Sequence, residues 1–195
     1  SEGGSYPDIG KYNQSDSFNR KVFQIIEQLN LPKEAADWLM KIIKAESGFD
    51  PHIKGKNSDV RGLIQFKPST LEGLGSSVSE LLANDSIWQL DLVEKHFKNY
   101  AKKIKNFGDM YMAVAWPAAV GKSDDYQLYG KNSEKAYDRK AYWANQKAYD
   151  KEGKGFVTRG DALKFAENSK STSSSSSNVI GNVDIGRAQL LAKID

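Results

Sequence analysis

The chain has 195 residues, 39% hydrophobic and 27% charged, a balance that fits one domain with a buried core and polar tails. Lys and Arg number 28 against 25 Asp and Glu, a net charge of +3 that is too even to point to nucleic acid. With no cysteine, and with His52 and His96 as the only histidines, the composition excludes disulfides, thiolate chemistry and Cys-based or His-rich metal sites and argues against a Ser-His-Asp triad; no cofactor is expected.

Residues 1–15 are rich in Gly, Ser, Asn and Pro and read as an extended N-terminal arm. Val22, Ile25, Ile26 and Leu29 then recur at helical spacing, predicting a helix from about Ser17 to Leu29 with Asp16 or Ser17 as its cap. Asn30-Leu31-Pro32 breaks it, and Pro32 fits the first turn of a second helix carrying Ala35, Trp38, Leu39, Ile42, Ile43 and Glu46. Residues 48–67 read as irregular chain with a small hairpin, whose turns are supplied by Gly55, Asn57-Ser58-Asp59 and Gly62. Pro68 opens a short helix, and Val78–Ala83 forms another turn of helix. The longest helix is expected from about Asp85 to Lys103, with Ile87, Leu90, Val93, Phe97 and Tyr100 along one side. A last apolar helix, Asp109–Ala115, ends at Pro117 and Gly121. Residues 122–170 form a Tyr-rich, charged extension finishing in a helix, 171–178 a Ser-rich linker and 179–195 a short helical tail. No apolar run approaches the ~20 residues a membrane-spanning helix needs.

Glu46 stands out. Leu39, Ile42 and Ile43 precede it by seven, four and three residues, so the carboxylate continues the apolar stripe of its helix. Gly48 stops the helix immediately afterwards, and Phe49 is placed to fold back over the last turn. Burial and the negative end of the helix dipole both favour a carboxyl that keeps its proton, as a general acid must. The alternative is a surface Glu at a frayed helix end, neutralised by Lys44 or Lys54.

Glu46-Ser47-Gly48-Phe49-Asp50-Pro51, then Arg61-Gly62-Leu63-Ile64-Gln65-Phe66, Pro68-Ser69-Thr70 and Leu74-Gly75 occur in an order and spacing that resemble the soluble lytic transglycosylases, relatives of goose-type lysozyme. The resemblance covers roughly residues 35–121. It implies a mainly α, lysozyme-like α+β fold, a helical bundle around a cleft with a small β-hairpin, within a domain at 16–170 whose core is 32–121. It also implies that Glu46 is a single catalytic acid/base acting on bacterial peptidoglycan between N-acetylmuramic acid and N-acetylglucosamine. In the family the sugar's own 6-hydroxyl attacks and leaves a 1,6-anhydro end, which would explain the lack of an obvious second carboxylate; a lysozyme-type hydrolase with a reducing product is the other chemistry the sequence leaves open. Asp50 more simply caps a turn, and Asp59 is the other nearby acid.

Ser47, Gln65, Phe66, Tyr111 and Trp116 are the expected substrate-binding residues. Where the family has Ala-Tyr-Asn-Ala-Gly, this chain reads Ala115-Trp116-Pro117-Ala118-Ala119-Val120-Gly121, which removes a Tyr hydroxyl and an Asn amide. Trp116 can stack on a sugar ring, and Tyr111 is a substitute source of a hydroxyl. This variant is closest in flavour to domains carried in bacteriophage particles. With the opening Ser1-Glu2-Gly3-Gly4-Ser5 unlike a signal peptide, the expected setting is a virion tail or ejection apparatus acting at the periplasm and cell wall, with a secreted enzyme as the alternative. The arm and the Ser-linked tail are the expected contacts with other phage proteins, and a non-catalytic tail protein retaining the fold is the competing reading. Asp150–Asp161 resembles a calcium loop, but Lys154 stands at a ligand position and Asp161 replaces the bidentate Glu, so no metal is expected there.

Overall fold

A computed structural model describes residues 4–56 and 58–168. The Ser-rich linker and helical tail expected at 171–195 lie outside them. Eight helices and one two-stranded sheet are found among the described residues.

Helix α1, Asp16–Gln28, buries Phe18, Val22, Ile25 and Ile26. Its cap is Ser15, whose hydroxyl accepts the Phe18 N–H at 3.1 Å, one residue earlier than expected. Helix α2, Ala35–Ser47, starts three residues after Pro32, which heads a turn through the Ala35 N–H to Pro32 carbonyl bond (2.9 Å). Leu39, Met40, Ile42 and Ile43 of α2 are fully buried, and α2 packs against α1 and α6. Two short helices follow, α3 at Pro68–Gly73 and α4 at Val78–Leu82.

The helix expected at 85–103 divides. Helix α5 spans Ser86–Lys98, capped by Asp85, and the chain tightens into a 3₁₀ turn at Ala101–Lys103. Lys95, His96 and Lys98 lie in the last turn of α5, a favourable place for basic groups. Helix α6, Phe107–Ala115, begins at an Asn106 cap.

Two further features differ from the sequence reading. The N-terminal arm is folded onto the core: Ile9 is 2% exposed, Tyr6 packs on Phe23 with ring centroids 4.5 Å apart, and the Tyr12 hydroxyl donates to Asp37 Oδ1 at 2.6 Å. The polar composition of the arm hides three apolar anchors spaced three residues apart. The sheet is also elsewhere. Among the described residues of 48–67 the pairing is limited to isolated bridges, Lys54–Arg61 and Arg61–Phe66. The antiparallel pair is β1, Gln127–Gly130, with β2, Phe156–Thr158, in the register Tyr129 opposite Val157, with an irregularity between Gln127 and Tyr129. Helix α7, Ala136–Tyr149, connects the two strands and packs on both, and α8, Arg159–Asn168, follows directly.

Asp37 also pairs with Lys41 (2.8 Å) and Lys11 (3.3 Å). Partial burial opposes its ionisation, but these cations and the Tyr12 hydroxyl outweigh burial and hold its carboxyl below the usual range. Tyr12→Phe removes a hydrogen bond to a charged acceptor and is expected to cost about 1.5–3 kcal/mol. Urea denaturation checks this, and an unchanged midpoint would show that the arm is not anchored at Tyr12.

Candidate active site

Glu46 lies on the last turn of α2 and is 1% exposed, as its place in the apolar stripe requires. The surface alternative, with Lys44 or Lys54 as neutralising partners, does not fit that burial. The helix stops because Gly48 takes the left-handed conformation (φ 58°) and returns its N–H to the Lys44 carbonyl at 3.0 Å. Phe49 is left-handed as well (φ 68°), a conformation that strains a bulky residue. Phe18 and Tyr12 hold it, with ring centroids 5.8 and 6.1 Å away. Asp50 caps the following turn by accepting the His52 N–H at 2.9 Å.

The segment after Glu46 is tied to the loop at 62–66 by two glutamines. Gln89, on the buried face of α5, donates to the Pro51 carbonyl (2.8 Å) and accepts the Leu63 N–H (2.6 Å). A Cβ at Gly62 would come within 2.3 Å of the Gln89 amide oxygen, and φ is 83° there, so glycine is required twice over. Gln65 (φ 56°) donates its side-chain amide to the Ile53 and Gly62 carbonyls, at 2.9 and 3.0 Å. Loop and helix end are thereby built as one unit.

A groove of about 390 Å³ runs alongside. One wall is Ile64, Gln65, Phe66, Lys67 and Thr70; the other is the end of α6 with Trp116, Pro117 and Ala118, joined by Tyr126–Leu128 and by Tyr137 at the start of α7. His96 lines it too, with Phe66 edge-on at 6.2 Å and its ring bonded through Nε2 to the Ala113 carbonyl at 2.7 Å. Across the opening Lys67 donates to the Tyr137 hydroxyl at 2.9 Å, and the Tyr137 ring tilts against Trp116 at 5.7 Å.

The structure therefore brings Gln65, Phe66 and Trp116 into the groove. It does not bring the other expected residues there. Ser47 is 5% exposed and donates its hydroxyl to the Ile43 carbonyl at 3.0 Å, within its own helix. Tyr111 is equally buried and stacks on Phe107 (6.1 Å, 13° between planes). Glu46 is not among the residues lining this groove; its helix packs on α6, whose end forms part of the lining. Sequence reasoning missed His96, Lys67, Tyr126 and Tyr137. The signal for His96 and Gln89 was two polar residues seven apart beside the apolar side of α5.

The calcium-like loop is filled from within. The Asp150 carboxylate accepts the Tyr142 hydroxyl (2.7 Å) and the N–H groups of Lys154 (2.9 Å) and Gly155 (2.8 Å), while the Lys154 ammonium pairs with Asp161 at 2.9 Å. Among the described residues no cluster of three or more His, Cys, Asp or Glu is placed to hold a metal.

Burial pushes the His96 imidazole below its ordinary value, against the opposing pull of the Ala113 carbonyl. The unfolded chain then takes up a proton first, from about pH 6.5 downward, and stability falls through that range. His96→Gln removes this term. Its stability deficit relative to wild type in urea is expected to shrink as the pH drops from about 7 to about 5; a constant deficit would show that the imidazole takes up its proton equally well in the folded and unfolded chain, and a growing deficit that the fold favours the charged ring.

The family model described as Transglycosylase SLT domain matches residues 23–136. No curated protein and no solved structure matches the chain.

Proposed function

The chain belongs to the transglycosylase SLT domain family, whose members are lytic transglycosylases acting on peptidoglycan, and from that membership we propose that Glu46 is the single acid/base of such an enzyme. The carboxyl delivers its proton to the oxygen joining N-acetylmuramic acid to N-acetylglucosamine, and the C1–O bond breaks. The resulting carboxylate takes the proton of the muramyl 6-hydroxyl as that oxygen closes onto C1. The product is a 1,6-anhydro end, the Glu is regenerated, and no water is consumed.

The observation that carries this reading is the burial of a carboxyl at the end of an apolar helix face. That environment favours the neutral, proton-bearing form. Support also comes from the groove: Trp116 and Tyr137 offer ring faces to sugars, and Lys67 offers a cation to the carboxylates of the peptide that the muramyl group carries. A side chain 1% exposed cannot touch a sugar until its neighbours give way, so catalysis requires the groove to open toward position 46. The setting we infer is a bacteriophage particle that breaches the wall locally, on the strength of the Trp116-Pro117-Ala118 variant motif. A second reading, a wall-binding protein of a phage tail without catalysis, is favoured by one observation: Glu46 stands outside the groove lining.

Glu46→Gln is expected to lower the rate of peptidoglycan solubilisation by about 10²–10⁴-fold, the usual range for loss of a general acid, while thermal stability stays level or rises. Equal solubilisation by both proteins would remove Glu46 from the mechanism. Mass spectrometry of the released muropeptides separates the two chemistries. Anhydro ends are lighter than hydrolytic ends by one water, and reducing ends alone would make the enzyme a hydrolase.

A further inference from the structure

Arg159 is a buried cation that lies beyond the family-matching span in sequence and bonds to residues inside it. It heads α8, beyond residues 23–136, and its side chain is 4% exposed. The guanidinium reaches 50 residues back along the chain to Asp109 Oδ1 at 2.7 Å, and the same Nη1 donates to the Ala119 carbonyl at 2.9 Å. Nη2 stands 3.4 Å from Asn106 Oδ1. Asp109 in turn accepts the N–H groups of Gly121 (3.0 Å) and Lys105 (2.9 Å). Burial opposes ionisation of Asp109, but Arg159 and the two N–H donors outweigh it and hold the carboxyl below the usual range. The Arg159 backbone N–H adds a bond to the Tyr126 carbonyl at 2.8 Å.

Three of these bonds end on the groove lining or within three residues of it in the chain, at Ala119, Gly121 and Tyr126. Ala119 and Gly121 follow Trp116-Pro117-Ala118, which line it, and Tyr126 lines it directly. This is the segment in which the family's Tyr-Asn pair is absent from the sequence. Gly108, inside α6, makes room for the contact: a Cβ there would come within 2.7 Å of Arg159 Nη2 and 3.0 Å of Leu163 Cδ1. Glycine is a poor helix former, so its place in α6 fits the space the guanidinium takes.

We propose that Arg159 is a positioning residue for the groove. Supplied by the C-terminal extension, it clamps the 116–121 segment through Asp109 and Ala119 and so fixes the face that Trp116 presents to glycan. The glycan part rests on the function proposed above; the clamp does not. Arg159 touches no substrate and acts through the segment it holds.

The test uses the full chain with two variants that keep the Asp109 counter-charge, Arg159→Lys and Gly108→Ala. Lysine cannot reach Asp109 and Ala119 with a planar fork, and alanine at 108 displaces the guanidinium. Both are compared with wild type well below their unfolding temperatures. Hydrogen exchange at the Ala119, Val120 and Lys122 amides is expected to speed up by about tenfold, with α1 and α2 unchanged. Binding of an N-acetylglucosamine hexamer is expected to weaken by about tenfold or more, and on peptidoglycan KM rises while kcat changes little. Unchanged exchange would overturn the clamp. Faster exchange with wild-type affinity and wild-type KM would overturn its role in the groove. If the wild type itself neither binds the hexamer nor cleaves peptidoglycan, the enzymatic reading fails, and the exchange measurement alone decides whether Arg159 holds the segment.

Discussion

Keeping an ionisable carboxyl out of water is the constraint on which the rest of this structure depends. A buried carboxylate costs several kcal/mol unless its surroundings compensate or it keeps its proton. Here the group is Glu46, in line with Leu39, Ile42 and Ile43, at the helix end whose dipole also disfavours negative charge. The local chain is shaped around it. Gly48 and Phe49 turn consecutively through the left-handed region, and that return is held by Phe18 and by Tyr12 of the folded-back arm. An arm that looks dispensable by composition thus supports the turn that follows Glu46.

From the helix end the constraint passes to the groove through backbone carbonyls. Gln89 and Gln65 bind the Pro51, Ile53 and Gly62 carbonyls, joining the segment after Glu46 to the loop that supplies Ile64, Gln65 and Phe66 to the wall. The opposite wall is held from the C-terminal side, where Arg159 and Asp109 fix the segment after Trp116. One wall therefore belongs to the helical core and the other leans on the extension. Lys67 and Tyr137 meet across the opening between them.

The helices of the core were legible because their apolar residues repeat at three and four, and Glu46 was legible because it interrupts that chemistry without interrupting the spacing. Glycine at 48 and 62 was legible for the same local reason. What escaped had no local signal. Gln127-Leu128-Tyr129-Gly130 is too short to show alternation, and its partner strand lies beyond a whole helix. Tyr6, Ile9 and Tyr12 are three anchors in a polar stretch. Arg159 is one more charge in a charged extension until Asp109 is placed beside it. Ser47 and Tyr111 came from the resemblance and from adjacency to motif residues. Their spacing did not say which face they occupy, and both side chains are committed elsewhere, one to its own helix and one to a ring stack.

The account stands or falls on whether position 46 reaches the bond it is said to break. The direct measurement is a crystal structure of the Glu46→Gln variant with a peptidoglycan glycan fragment bound. The account predicts sugar rings along Trp116 and Gln65, the wall displaced, and the side chain at 46 within about 2.6–3.2 Å of the bridging oxygen, the reach of a proton donor. A fragment seated in the groove with that side chain still enclosed and out of reach would contradict it.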